Sequence, residues 1–358
     1  MTTIDPATVD QDKLDQLMGL AVGDFGAMAS GVMVYVGDQL GIYGALADAG
    51  PQTAEQLAER TGLHPRLLRE WLSNQAAGAY VTYDAATETF ALTPEQAFAL
   101  ADSTSPVYLG GLAEVLMALA AGADKVADGL RTGKGVHWHE HDERLFSGTE
   151  RFFRPGYAAN LVPSWIPALD GVEEKLRTGA RVADVGCGHG ASTLVMAQAF
   201  PASSFVGSDY HAPSVEAARK AAAEAGVADR VSFETARSTE FGGGPYDLVC
   251  LFDCLHDMGD PVGAARHIRS QLAPDGTLLL VEPNAGDTLS DNLNPVGRLF
   301  YAASTAICVG NAVAQGAADA LGAQAGEART REVFERAGWS SFRRATETPF
   351  NVVYEARP

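Results

Sequence analysis

The chain is short of cysteine and short of positive charge, and each shortage excludes a class of protein. Four cysteines in 358 residues (Cys187, Cys250, Cys254, Cys308) lack the density and even spacing of a secreted disulfide scaffold. A reducing, cytoplasmic compartment is therefore the simpler expectation. Only 26 Lys and Arg stand against 45 Asp and Glu, and the resulting net charge of −19 repels phosphate backbones and anionic headgroups. Neither nucleic acid nor a membrane is expected as a partner. The first 13 residues carry three Asp before Lys13, unlike the basic start of a secretory signal. No long hydrophobic run is visible either: the longest, Phe25–Val36, is bracketed by Asp24 and Asp38 and falls short of the ~20 residues that a bilayer requires. Internal repeats and low-complexity tracts are absent as well.

What remains, 46% hydrophobic over 358 residues, is enough for about two domains. From Leu14 to Ala49, Met28, Val32, Val36 and Leu40 recur every four residues beside Tyr35 and Tyr43, marking one apolar helical stripe. The small residues around that stripe suit packing against a second copy. Thr53 caps a helix to Arg60, Gly62 turns the chain, and Pro65 opens another helix to about Asn74. Tyr80–Tyr83 and Thr89–Leu92 then read as a short hairpin, completing a winged-helix pattern. Such a module either reads a DNA groove or holds a dimer together. Residues 1–100 carry four basic and 13 acidic residues, a balance of −9 where a DNA reader needs a basic face. Residues 1–104 are accordingly expected to be a dimerisation domain.

Residues 105–179 read as a helical linker carrying pocket residues, and from Arg181 apolar runs alternate with Ala-rich helical segments, the mark of a parallel α/β sheet. Strands are expected at Arg181–Val185, Ser204–Ser208, Arg230–Glu234, Tyr246–Phe252 and Gly276–Glu282, with a last pair at Phe342–Thr346 and Asn351–Ala356. The stretch from about 283 to 326 is too long for a simple connection and is read as a helical lid.

The strongest local signal is VADVGCGHGAST at Val182–Thr193, in which a strand runs into a glycine-rich turn and then a helix. Gly186, Gly188 and Gly190 allow a ligand to approach the backbone closely. The same turn also satisfies the G-x-G-x-x-A dinucleotide fingerprint. Asp184 precedes the first glycine, and Asp209 ends the second strand where a carboxylate can take both ribose hydroxyls. No Tyr-x-x-x-Lys pair occurs, which leaves hydride transfer without its usual proton donor.

With these motifs, residues from about 150 to 358 resemble class I S-adenosylmethionine-dependent methyltransferases. YDLVCLFDCLHDMGDP at the fourth strand and LAPDGTLLLVEP before the fifth are similar to that family's later motifs. The resemblance implies a Rossmann-like seven-stranded sheet whose last strand pair is antiparallel. It implies S-adenosyl-L-methionine bound by Asp184, Gly186, Gly188, Gly190 and Asp209, with Tyr210 against the adenine. The family often has an acid after the third strand, but here Thr235–Ser238 offers Arg237 and Ser238 instead. Tyr157 and Asp253 are further cofactor candidates.

With its N-terminal module included, the chain resembles small-molecule O-methyltransferases that carry a dimerisation domain. Their His-Asp-Trp-x-Asp stretch is matched by His256–Asp260 with Met258 in place of Trp, which implies His256 as general base with Asp257 beside it. Asp260 followed by Pro261 reads as a helix cap. His137, His139 and His141 alternate and would share one face of an extended segment, but no fourth ligand accompanies them and no metal is expected. Trp138, His139, His141 and Phe153 are read instead as the wall of an organic pocket, joined by Cys254, Asn284 and Tyr301. Arg154 either pairs with an acceptor carboxylate or forms an ordinary ion pair. The expected activity is methyl transfer to a hydroxyl of a small molecule. Sulfur and nitrogen acceptors are the alternatives, and the rival from another class is a cofactor-sensing winged-helix regulator.

Overall fold

The computed structural model describes residues 4–358, which divide into two compact units, one ending at Met117 and the other running from Ala118 to Pro358. In the first unit, α1 (Gln11–Gln39) starts on an Asp10 cap and runs for 29 residues. Gly41, in the left-handed region at φ +65°, separates it from α2 (Ile42–Ala49), so the single expected stripe is two helices. The capping box of Thr53 and Gln56 opens α3 (Ala54–Thr61), and Pro65 opens α4 (Pro65–Ala77). The hairpin β1 (Thr82–Asp84) and β2 (Thr89–Ala91) follows, and a second capping box starts α5 (Pro94–Leu100). Leu46, Leu57, Leu72, Trp71 and Phe90 are buried together in its core. Tyr43 donates to the buried Gln75, which pairs these two polar groups within the core.

Most of α1 has no cover within this unit: Phe25 is 71% and Met28 66% exposed. By length and a mean hydropathy of 1.6 the helix also meets the measure for a membrane span, as does Pro295–Ala314 at 1.2. The apolar region is thus longer than the Phe25–Val36 run, because a helix averages across Asp24 where a sequence run stops at it.

Helix α6 (Gly110–Ala121) spans the junction, and α7 (Ala123–Thr132) and α8 (Arg144–Asn160) lead into the second unit. The α8 helix continues as a π turn at Leu161–Trp165, and α9 (Val172–Thr178) precedes the sheet. The strands are β3 (Arg181–Val185), β4 (Ser204–Asp209), β5 (Val231–Thr235), β6 (Tyr246–Phe252), β7 (Leu272–Pro283), β8 (Ser341–Glu347) and β9 (Asn351–Arg357). Their order is β5-β4-β3-β6-β7-β9-β8, parallel from β5 to β7, with β9 antiparallel to both of its neighbours.

Helices α10 (Ala191–Ala199), α11 (Ala212–Glu224), α12 (Pro261–Gln271) and α15 (Gly326–Arg336) connect the strands. Because helices lie on both faces, β6 has no polar alternation, and Leu248 to Leu251 are all buried. The expected lid holds α13 (Pro295–Ala303), a π turn at Ser304–Cys308 and α14 (Val309–Ala314). Strand order reverses at β3 and β6, so the crevice beyond their carboxyl ends is where a ligand is expected in such a sheet.

Candidate active site

The turn from β3 into α10 is built from three glycines in the left-handed region, Gly186 (φ +76°), Gly188 (φ +51°) and Gly190 (φ +80°). A side chain at Gly186 would put its Cβ 2.8 Å from Cys254 Sγ, and at Gly190 2.8 Å from the Phe233 ring, whereas at Gly188 it would meet nothing within 4 Å. The loop is packed from behind and open in front. Asp209, at the end of β4, accepts from the Gly188 amide at 2.9 Å through one oxygen and from the His211 amide at 2.8 Å through the other. The carboxylate is thereby fixed beside the glycine loop, with its remaining lone pairs facing the space in front. Burial raises its pKa against the lowering effect of those amides.

That space is a cavity of about 540 Å³. It is lined by Gly186, Cys187, Gly188 and His189 of the glycine loop, by Asp209 and Tyr210 at the end of β4, and by Arg237, Ser238 and Thr239 beyond β5. Trp138, Phe146, Thr149, Glu150, Phe153 and Tyr157, with Asp253, Cys254 and Asp257–Asp260 after β6 and Asn311, Ala314 and Gln315 of the lid, complete the lining. Asp253 holds a strained φ of +50° where β6 ends, and its Oδ1 accepts from Asn351 Nδ2 at 2.7 Å. Burial, with Glu282 nearby, pushes its carboxyl up to about 8.

Several expected residues stand behind the wall rather than on it. Asp184, 1% exposed, accepts from Ser192 Oγ and Thr193 Oγ1, both at 2.6 Å, and so ties the first turn of α10 to β3. Gly190 caps α10 and is likewise off the wall.

His256 is enclosed: its Nδ1 lies 2.6 Å from Glu282 Oε2, and the Cys308 thiol lies against the ring. Burial, the largest single influence, lowers its pKa, but the Glu282 carboxylate and Cys308 together outweigh it and raise it well above the ordinary value. Glu282 Oε1 accepts from the Leu255 amide at 3.1 Å, so one carboxylate holds both the imidazole and its turn. Asp257, next in the chain, does face the cavity, and burial pushes its carboxyl up to about 7 against the opposing pull of His256.

The three alternating histidines do not share a face. Trp138–Glu140 is a 3₁₀ turn rather than a strand, so the His137 and His139 rings stack at 5.1 Å on the cavity while His141 turns inward and is buried away from it. No metal-ligand cluster is found among the described residues. Arg154 is 48% exposed, pairs with Glu150 at 3.5 Å and is off the cavity wall. Asn284 bonds the Thr348 carbonyl at 2.9 Å, which is a structural contact, and Tyr301 sits on α13 away from the wall. Asp260 caps α12, accepting from Gly263 at 2.7 Å.

Asn311 escaped the sequence reading. Its Oδ1 accepts from the Trp138 amide at 2.9 Å and its Nδ2 donates to the Asp257 carbonyl at 3.0 Å, which stitches the lid to both walls. A buried amide in an apolar helix was the available signal.

Among known proteins, residues 176–338 match a family described as a methyltransferase domain, and residues 28–102 match the Rv2258c-like winged helix-turn-helix domain. The mitomycin biosynthesis 6-O-methyltransferase of Streptomyces lavendulae is 26% identical over 78% of this chain and 80% of its own. Three other curated relatives are matched over only 24%, 39% and 58% of their length. A solved structure of a putative O-methyltransferase from Nostoc punctiforme superimposes with a TM-score of 0.70 at 21% identity, covering 100% of both chains. Human N-acetylserotonin methyltransferase, solved in complex with SAM, gives 0.68 at 17% identity, covering 99% of each chain. These structural likenesses are likenesses of fold. The second unit of this chain, carrying the glycine loop and its acidic partner, belongs to the methyltransferase-domain family and is joined to a winged helix-turn-helix domain.

Proposed function

We propose that this protein is an S-adenosylmethionine-dependent methyltransferase acting on a hydroxyl of a small organic molecule. The observation that carries the reading is the loop that is open at Gly188 and packed at Gly186, with the Asp209 carboxylate held against it. These residues fit the cofactor. Asp209 has lone pairs left for two ribose hydroxyls, Tyr210 offers an aromatic face for the adenine, and Arg237 and Ser238 line the same cavity. When bound, the cofactor supplies a methyl group activated on a sulfonium.

The chain's own share is to orient the acceptor in line, keep water out and remove one proton. The proton passes to the His256–Asp257 pair. Asp257 is the member on the wall, and a carboxyl pushed up to about 7 can accept a proton near neutral pH. His256 is held as an imidazolium by Glu282 and steadies the Asp257 carboxylate from behind, so the base role expected of His256 falls on Asp257 in this arrangement. A sulfur acceptor would need that help less, because thiols ionise nearer neutral pH.

We place the enzyme in the cytoplasm, consistent with four free cysteines, and read it as a homodimer whose partner copy covers the exposed face of α1. Calorimetry with the donor and its demethylated by-product tests the cofactor, and a methyl-labelled donor offered with hydroxyl, thiol and amine acceptors tests the transfer. No heat with either cofactor form, in protein shown to be folded, refutes the proposal.

A further inference from the structure

Asp253 lines the cavity but takes no part in the proton removal described above. It follows β6 at a φ of +50°, with its amide donating to the Val281 carbonyl at 2.8 Å. Asn351 Nδ2 of β9 donates to its Oδ1 at 2.7 Å, whereas Oδ2 is buried with no hydrogen-bond partner among the described residues. A buried carboxyl oxygen left unpaired is costly unless a ligand meets it. Around it, His256 and Glu282 act with opposite signs and are paired to each other, and Asn351 and the Tyr157 hydroxyl are uncharged. An ionised Asp253 therefore lacks a cation of its own.

Three rings of the same cavity lie close by. Tyr157, beside the carboxyl, stacks on Phe153 with centroids 5.8 Å apart and packs on Phe252 at 5.3 Å. Aromatic faces attract cations, as a carboxylate does. The sheet order places this group relative to the glycine loop: β4 and β6 flank β3 on opposite sides. A ligand lying over the loop with its ribose on Asp209 of β4, and its base toward Tyr210, carries its other arm to the end of β6.

We propose that Asp253, with Phe153, Tyr157 and Phe252, is the subsite for the α-ammonium group at the methionine end of the cofactor. The inference rests on the methyl-transfer reading above, which leaves that end of the cofactor unassigned. Burial pushes the Asp253 carboxyl up to about 8, so it is mostly protonated at pH 7, and an arriving ammonium displaces its proton. The other titratable groups around it are Tyr157 and Cys254, which burial keeps neutral, and the His256–Glu282 pair.

Calorimetry on the whole protein compares three ligands that share one nucleoside: the demethylated by-product, its analogue with hydrogen in place of the α-amino group, and 5′-methylthioadenosine, which lacks the amino-acid end. The by-product is expected to bind at least about tenfold more tightly than the deaminated analogue. In buffers of different ionisation enthalpy at pH 7 it should also release roughly one proton more than that analogue. Asp253→Asn keeps the shape and an oxygen for Asn351. It should shrink the affinity ratio to about threefold or less and remove the extra proton, while 5′-methylthioadenosine binds as before.

Equal affinity for the by-product and its deaminated analogue overturns the proposal, and so does equal proton release. So does an Asp253→Asn protein that keeps the wild-type ratio. The ligand comparison on the wild type decides the matter even if the variant misfolds. Failure of the by-product itself to bind is a different result and strikes the underlying methyl-transfer reading.

Discussion

Replacing Glu282 with Gln isolates the most buried charge arrangement in the site. His256 and Glu282 are each 7% exposed in their side chains and 2.6 Å apart. Glutamine keeps the shape and an oxygen for the Leu255 amide but removes the charge that holds the imidazole protonated. Breaking one partner out of a buried pair costs ~3–5 kcal/mol, because the survivor stays desolvated and uncompensated.

The pH dependence has a definite sign. In the wild type the folded pKa of His256 is raised, so its contribution to stability is complete below the unfolded value near 6.5 and disappears as pH climbs through the raised one. In the variant the Glu282 charge is gone, and burial, the largest influence left on the ring, favours the neutral form. Protonation then opposes folding, and the penalty is greatest in acid. Urea unfolding should show a loss of ~3–5 kcal/mol at pH 5.5 that shrinks as pH rises above the unfolded value near 6.5 and through the raised folded one. A loss that is equal at all pH values, or absent at pH 5.5, refutes the imidazolium reading. Adding His256→Asn to Glu282→Gln should cost much less than the two single losses combined.

Three further outcomes are expected. Gly186→Ala forces a Cβ to within 2.8 Å of Cys254 Sγ at a φ of +76°, and calorimetry should show by-product affinity reduced about tenfold or more in a protein that remains folded. Turnover of the wild type should rise through about pH 7 as Asp257 ionises, since its raised pKa keeps it neutral below that point, and Asp257→Asn should abolish this rise in the pH-rate profile while by-product affinity holds. Phe25→Glu places a charge on the exposed face of α1, and sedimentation should show dimer converting to monomer.

The sheet was legible because its strands write their own pattern: Arg181–Val185 and Tyr246–Phe252 fall where their apolar runs place them. The floor of the site was legible for a related reason, since a turn with three positive-φ glycines is recorded residue by residue in the chain. The rest of the lining was not. Whether Trp138 or His141 faces the cavity depends on a 3₁₀ turn whose hydrogen bonds carry no periodic signature, and an alternation that suggested one shared face split into two. Similarly, the histidine of the His256–Asp260 stretch could be placed by sequence at the right turn, but which of two adjacent side chains points inward was settled by Glu282, 26 residues later.

The same reasoning explains why Asn311 matters more than its position in an apolar lid helix suggests. Trp138, Asp257 and Asn311 all line the cavity, and nothing covalent keeps them in register. One buried amide bonds the backbone of both other segments, so it fixes the distance between Trp138 and the turn that bears Asp257. Close approach there also depends on Gly135, where a Cβ would lie 2.1 Å from the Gly310 carbonyl oxygen of the lid. The Asp257 turn, the Trp138 turn and the lid are therefore one packed unit rather than three loops. A substitution on any one of them should alter acceptor binding and proton removal together, while the glycine loop and Asp209, on the sheet side, continue to hold the cofactor.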